Sequence, residues 1–506
     1  VTSLHHLESE TKITMDPIDV ASIRNGNVLP SQEALHAARN ALIRTLPSEG
    51  LGESETQALL QQSITPALSG SSQTANYYGF VTGGATPIAK AADNIVTAFD
   101  QNVQVHLPNE TVATDVEDAA LRLLCQLLRL DENEFKHRTF TTGATASNVM
   151  GMACGRQWIL HEAAKKRGIN NHFDLCDVGN VGISAAMRFA GVERVQILTT
   201  VPHSSLAKAA SIVGLGRAAI KLVNRSDALH KFDLEALEQA LSEPKTASIV
   251  AVSCSEVNTG LFATTSDEMK AIRALCDEHR AWLHVDGAFG IMGRCLDSKP
   301  AYDTILEGCA GMELADSITG DGHKLLNVPY DCGFFLSKHL DIAFHVFQNA
   351  GAAYLATAPS ADGVVNIPSP LNHGLENSRR FRALPVYANL VAYGRTGYQE
   401  MLERQITLAR RIAAFIGSHN GYEILPAGPG EQDIFMIVLF RAADEKLNAE
   451  LVKRINGTSK IYVSGTSWEG KPACRFAVSN WQVDVERDVG IIQNVLSSVW
   501  QERGTS

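Results

Sequence analysis

The sequence predicts an α/β fold: a mostly parallel sheet with helices on both faces, followed by a smaller C-terminal α+β domain and preceded by a helical N-terminal segment. Three observations predict it. Between about residues 100 and 380, short apolar runs rich in β-branched residues alternate with stretches of helical period. Those runs lack a strict polar alternation, as strands buried on both faces do. After about residue 385 the order changes to one long helical stretch followed by two strand-like runs. The expected divisions are 1–95 for the helical segment, 96–384 for the large domain and 385–506 for the small one.

Each element has its own signal. "SQEALHAARNALIRTL" is the amphipathic helix of the first segment. "VQILTTV" (195–201), "ASIVAVSC" (247–254) and "AWLHVDGA" (281–288) read as buried strands. Between the first two, "KFDLEALEQALSEP" puts Leu234, Leu237 and Leu241 on one helical face and stops at Pro244. Between the last two, Thr265 followed by Glu268 makes a capping box, and Met269, Ile272 and Leu275 fall at helical spacing. The long stretch "VYANLVAYGRTGYQEMLERQITLARRIAAFIGSH" leads to "DIFMIVLF" and "CRFAVSN", strands of the small domain. Alternating strands and helices imply a parallel sheet covered on both faces.

Composition narrows the function. With 506 residues, 45% hydrophobic and 20% charged, the chain is ordinary globular protein. A formal net charge of -11 argues against nucleic acid and against an anionic membrane surface. No apolar run approaches the roughly 18 residues needed to span a bilayer, and the start lacks the basic and apolar regions of a signal peptide. Nine cysteines without CxxC pairs suggest neither a disulfide framework nor a metal site, so they are expected reduced and mostly buried in a cytoplasmic protein.

Ligands of such folds sit at the carboxyl ends of the strands, and three features should meet there. Asp286 ends "WLHVD" and is followed by the small residues Gly287 and Ala288, which leave room for a flat ligand; a loop-capping aspartate is the other reading. "FTTGATASNVMGMACGRQW" (140–158) offers Gly143, Ala144, Thr145 and Ser147 at a helix start, suited to phosphate; plain N-capping by Thr145 or Ser147 is the other reading. In "SITGDGHKLLNVPYDCG", His323 and Lys324 follow what reads as a short polar, glycine-containing turn. An amine that forms imines, an acid for a ring nitrogen and a phosphate loop are the parts that pyridoxal 5'-phosphate (PLP) requires.

The same residues carry a resemblance. "LHVDGAFG", "ADSITGDGHKLLNVPYDCG" and "LENSRRFRALPVY", with "TTGATASN", "VPHSSLAKAA" and "NVQVHLPNETVATDVED", resemble in order and spacing the signatures of the group II PLP-dependent amino-acid decarboxylases, which include the aromatic amino-acid, glutamate and histidine enzymes. The resemblance covers most of residues 70–500. It implies PLP fold type I with a seven-stranded large-domain sheet, a homodimer with active sites at the interface, and decarboxylation of an L-amino acid to its amine and carbon dioxide. By position it implies Lys324 as the imine-forming lysine, Asp286 as partner of the pyridinium nitrogen, His203 stacked on one face of the ring and Ala288 on the other. Ala144 and Thr145 match the phosphate loop, with Asp321 and His323 nearby, and Thr259 matches a cofactor-proximal threonine. Read alone, His203 is a surface or N-cap histidine. Arg379 and Arg380 match a paired-arginine signature expected to be partly structural.

Tyr354, in "GAAYLATAPSADG", matches a loop tyrosine that protonates Cα after carbon dioxide leaves, with His203 as the other proton donor. "NYYGFVTGG" brings Tyr77, Tyr78 and Phe80 to where the family lines its substrate pocket; Tyr78 and Phe80 favour an aromatic substrate, or are core. An acidic substrate would need a dedicated arginine, and the sequence singles none out. Gly287, Phe289, Ala144 and Thr145 depart from the usual family residues, so substrate identity does not transfer. The rivals are another PLP reaction, oxidative aldehyde synthesis or carbon-carbon lysis, and a non-catalytic binding protein that keeps the fold.

Overall fold

The structure, a computed structural model, describes residues 26–169, 171–349, 367–428 and 430–504. Twelve strands appear in chain order: β1 (Tyr77–Tyr78), β2 (His137–Thr141), β3 (Arg194–Thr199), β4 (Ile220–Leu222), β5 (Thr246–Ser253), β6 (Trp282–Asp286), β7 (Ser317–Asp321), β8 (Gly333–Ser337), β9 (Tyr422–Leu425), β10 (Ile437–Ala442), β11 (Tyr462–Trp468) and β12 (Lys471–Ala477). Seven form one sheet in the order β2-β8-β7-β6-β5-β3-β4. β7, β6, β5, β3 and β4 are parallel, and β8 runs antiparallel to both neighbours.

β5 shows why its run lacks alternation. Ile249 and Ala251 pack into the core beneath the Ala144–Lys166 and Ser204–Ile212 helices, while Val250 and Val252 pack into the core on the opposite face. Both faces are dry, so both parities are apolar. The helix that follows, Ser266–His279, opens on the expected capping box, Glu268 N–H to Thr265 Oγ1 at 3.3 Å and Thr265 N–H to Glu268 Oε2 at 2.7 Å.

β7 corrects the sequence reading. "SITGD" is a fully buried strand, not a turn. Its polar side chains are satisfied in the sheet, for Ser317 Oγ accepts from the Trp282 indole at 3.0 Å, and Gly320 is where the Phe334 ring passes, 2.0 Å from any Cβ placed there.

The second sheet has the order β1-β11-β12-β10-β9, and only the β1–β11 pair is parallel. Its core takes Tyr78 from the N-terminal part, Phe440 and Phe476 from the strands, and the far half of the Ala383–Ser418 helix. That helix is kinked at Gly394, whose φ of 55° interrupts it. The Gln32–Ala41 helix is shorter than its amphipathic stretch, because the chain becomes extended at Leu42. Arg379 and Glu117 form a buried two-pronged ion pair at 2.9 and 2.5 Å, a structural clamp, and Arg380 pairs with Asp93 at 2.6 Å. All nine cysteines are buried and unpaired. Among the described residues no helix is long and apolar enough to cross a membrane.

Candidate active site

β6 and β7 lie side by side and parallel, so their last residues, Asp286 and Asp321, emerge at the same edge of the sheet. From Asp321 the chain turns directly into a short helix, Gly322–Leu325, which carries His323 and Lys324. Lys324 Nζ stands 2.8 Å from Asp321 Oδ2. The other oxygen, Oδ1, accepts the Ala144 N–H at 2.5 Å. One carboxylate therefore ties the amine to the start of the Ala144–Lys166 helix. The next first-turn amides, of Thr145 and Ala146, have no partner within the helix and are free for an anion.

Gly151 and Gly155 bring that helix onto β6. A Cβ at Gly151 would lie 2.5 Å from the His284 ring, and one at Gly155 would lie 2.8 Å from the Trp282 ring. The close approach lets Asn148 reach Asp286, donating from Nδ2 to Oδ2 at 3.0 Å, while the Ala288 N–H meets Oδ1 at 3.2 Å. Two donors hold the carboxylate in one orientation.

His203 is placed by its helix. It is the N-cap of the Ser204–Ile212 helix, its Nδ1 accepting from the Ser205 N–H at 3.2 Å, and it lines the same cleft as Lys324. Burial lowers its pKa from the ordinary 6.5, against the pull of Asp286. His323 is also lowered by burial, stacks on Tyr330 at 4.4 Å and accepts the Cys332 N–H at Nδ1.

The cleft has a volume of about 620 Å³. Ala144, Thr145, His203, Ala288, Asp321, His323 and Lys324 line it, as the sequence motifs anticipated, and Asp286 lies behind them beside His203. Phe80 stands at its mouth, 65% exposed, turned there by a φ of 57°.

Two anticipated residues are elsewhere. Tyr78 is 1% exposed and packs edge-on against Phe476 at 5.2 Å, because β1 joins the second sheet and faces its ring into that core. Thr259 turns its hydroxyl away, donating to Glu256 Oε2 at 2.8 Å within a tight turn; its neighbours Val257 and Asn258 line the cleft instead. Tyr354 lies outside the described residues.

The structure adds residues that the sequence reading missed. Arg475, on β12, supplies a buried guanidinium to the cleft wall, held by Nη1 on the Val257 carbonyl at 2.6 Å, with no partner on Nε among the described residues. Burial lowers its pKa, and Glu256 opposes this. Asn148, Ser205 and His284 form the layer behind Asp286 and His203. An arginine in a strand or an asparagine in a helix carries no local signal of such a place.

A lysine amine and a helix start share one cleft here, with a strand-end carboxylate held by two donors just behind it, and these are the parts that PLP asks of a protein. The class is that of the PLP-dependent proteins of fold type I. Comparison with known proteins narrows it further: the family model described as pyridoxal-dependent decarboxylase conserved domain matches residues 60–442, and the chain belongs to that family.

Its relatives include an L-2,4-diaminobutyrate decarboxylase of Acinetobacter baumannii, 29% identical over 322 residues, a match spanning 63% of this chain and 58% of that protein. An aromatic-L-amino-acid decarboxylase of Bacillus atrophaeus is 23% identical over 471 residues, 90% of this chain and 88% of the relative. Among solved structures, Oryza sativa TDC with PLP and tryptamine superposes with a TM-score of 0.76 at 20% identity, covering 97% of this chain and 99% of that one, a likeness of fold.

Proposed function

We propose that this chain is a homodimeric decarboxylase that converts an aromatic L-amino acid to its amine and carbon dioxide. The observation that carries the reading is the convergence on one cleft of Lys324, tied to Asp321, with the Ala144 helix start and the Arg475 guanidinium. When bound, PLP supplies an electron sink for the pair of electrons left on Cα as carbon dioxide departs. The chain's residues do the rest. Lys324, positioned by Asp321, is the amine that would hold the cofactor covalently. Asp286, oriented by Asn148 and Ala288, would serve as the partner of the ring nitrogen's proton. Thr145 and Ala146 bind phosphate through their amides, and His203 and Ala288 confine the ring.

Arg475 anchors the α-carboxylate. Besides histidine, the described lining holds two basic side chains, Lys324 and Arg475. With both committed, none remains for an acidic side chain, whereas Phe80, Val81, Val257 and Tyr330 offer an apolar and aromatic mouth. Tyr354 delivers the proton to Cα. Support for the dimer comes from the N-terminal segment, where Leu42, Ile43, Leu46 and Leu51, 47%, 54%, 94% and 42% exposed, are apolar side chains close in sequence that a second chain would cover. Sedimentation at twice the chain mass is the expected result.

The decisive experiment is absorbance of the PLP-reconstituted protein before and after borohydride, followed by carbon dioxide release from a panel of L-amino acids. A visible band that borohydride fixes onto Lys324, with release from aromatic substrates, is expected. Lys324→Ala should lose both, and Tyr354→Phe should keep the band and divert product toward aldehyde. Release from diaminobutyrate or aspartate alone would overturn the substrate assignment, and a band without release would move the protein to another PLP reaction.

A further inference from the structure

At Asn148 the orientation of a side-chain amide follows from its neighbours. The Asp286 carboxylate can only accept, so the Asn148 atom 3.0 Å from Asp286 Oδ2 is the nitrogen. Its second hydrogen goes to Ser205 Oγ, also 3.0 Å away, and the amide oxygen faces His284 Nε2 at 2.9 Å. Each choice forces the next. Facing an acceptor, His284 carries its proton on Nε2 and leaves Nδ1 bare for the Ser317 hydroxyl at 2.8 Å, which in turn accepts the Trp282 indole N–H. On the other branch the Ser205 hydroxyl accepts from Asn148 and lies 2.7 Å from His203 Nδ1, to which it donates because the backbone N–H beside it fixes that nitrogen as an acceptor. The Ser205 backbone N–H points at the same nitrogen. Two donors keep His203 Nδ1 bare and put its proton on Nε2. Every donor in the chain finds an acceptor, and Trp282, Ser317, His284 and Asn148 are fully buried, so water does not compete.

We propose that Asn148, Ser205 and His284 are positioning residues of one directional hydrogen-bond relay. One hydrogen of the Asn148 amide holds Asp286, and the other is taken by the Ser205 hydroxyl, which with the Ser205 backbone N–H holds the tautomer of His203. The nitrogen that His203 keeps for the cleft then carries a hydrogen, and His203 acts there as a donor and not as a base. His203 shares this space with Asp286, Lys324, Asp321 and Arg475. The consequence for bound groups rests on the proposed function of the cleft; the tautomer itself does not.

The test is nitrogen-15 NMR of the full chain labelled at histidine, near neutral pH, with and without PLP, the His203 signals being assigned by their loss in His203→Gln. The expected result is a bare Nδ1 and a protonated Nε2 in both forms. Asn148→Asp keeps the size but removes both hydrogens. It should shift His203 Nδ1 toward the value of mixed tautomers and lower turnover roughly ten- to a hundredfold, the worth of a hydrogen bond to a charged group. Ser205→Ala retains the hydrogen bond to Asp286, so it should move the His203 signal while the cofactor band stays in place. A protonated Nδ1 in the unaltered chain, or a His203 signal unmoved in Ser205→Ala, overturns the relay, and both remain readable should Asn148→Asp fail to fold. Absence of a borohydride-fixable band on Lys324 would instead sink the proposed function and leave the tautomer result standing.

Discussion

Arg475 reaches the cleft from a strand that follows Lys324 by some 150 residues of chain, and its value lies in burial. A guanidinium out of water, with an unpartnered Nε, gains more from a carboxylate than an exposed one does. Arg475→Met is therefore expected to raise KM for the amino acid by about ten- to a hundredfold, since a charge-assisted hydrogen bond is worth about 1.5–3 kcal/mol, with kcat changed less. Arg475→Lys should recover part of the loss. Steady-state kinetics on both variants decides; an unchanged KM would remove Arg475 from substrate binding. Lys324, Asp286 and the 140–148 loop were legible in the sequence because each sits in a contiguous motif whose chemistry is local. Arg475, Asn148 and His284 were not, because only the tertiary approach of β12, the Ala144–Lys166 helix and β6 gives them a role. Tyr78 and Phe80 were indistinguishable by type; a positive φ at Phe80 sent one to the cleft while strand pairing sent the other to the core.

Elements meet here by close contact at glycine. The 79–84 segment lies against the turn after Lys324, where a Cβ on Gly83 would come within 1.6 Å of the Lys324 carbonyl oxygen. Asn327 stitches the two together, donating from Nδ2 to the Gly83 carbonyl at 2.8 Å. Gly83→Ala must push backbone from backbone, costing about 1–3 kcal/mol and displacing Lys324. Lower PLP occupancy in the absorbance spectrum, together with a lower unfolding midpoint, is the expected pair of results. An unaffected cofactor band would show that the turn can yield. The apolar strands β3, β5 and β6 were legible from their β-branched runs, and the capping box from its two residues. β7 was not, because Ser, Thr, Gly and Asp in sequence look like a turn until a neighbouring indole and ring supply their partners.

Buried histidines set how the whole molecule responds to acid. Burial pushes His137 down from the ordinary 6.5 to about 3, and His284 to about 4 despite Asp286. Below pH 6.5 the unfolded chain binds a proton at each that the native chain refuses, so stability falls as pH is lowered. The loss is roughly 1.4 kcal/mol per pH unit for each histidine, running to about 4 for His284 and to about 3 for His137. Above pH 6.5 their contribution is flat. His203, His323 and His373, also lowered by burial, act in the same direction. Urea midpoints should drop between pH 7.5 and 5, and a midpoint unchanged over that range would contradict the burial of these rings.

The pairing of β1 with β11 also orders events in time. Phe80, just beyond β1, binds through its N–H the hydroxyl of Ser464, 384 residues further along the chain. At a ribosomal pace of about 5–20 residues per second, the tyrosine strand waits on the order of a minute for its partner to be synthesised. The first part of the cleft to leave the ribosome is thus among the last to be closed, and the nascent chain carries an unpaired aromatic edge while the intervening 384 residues are made.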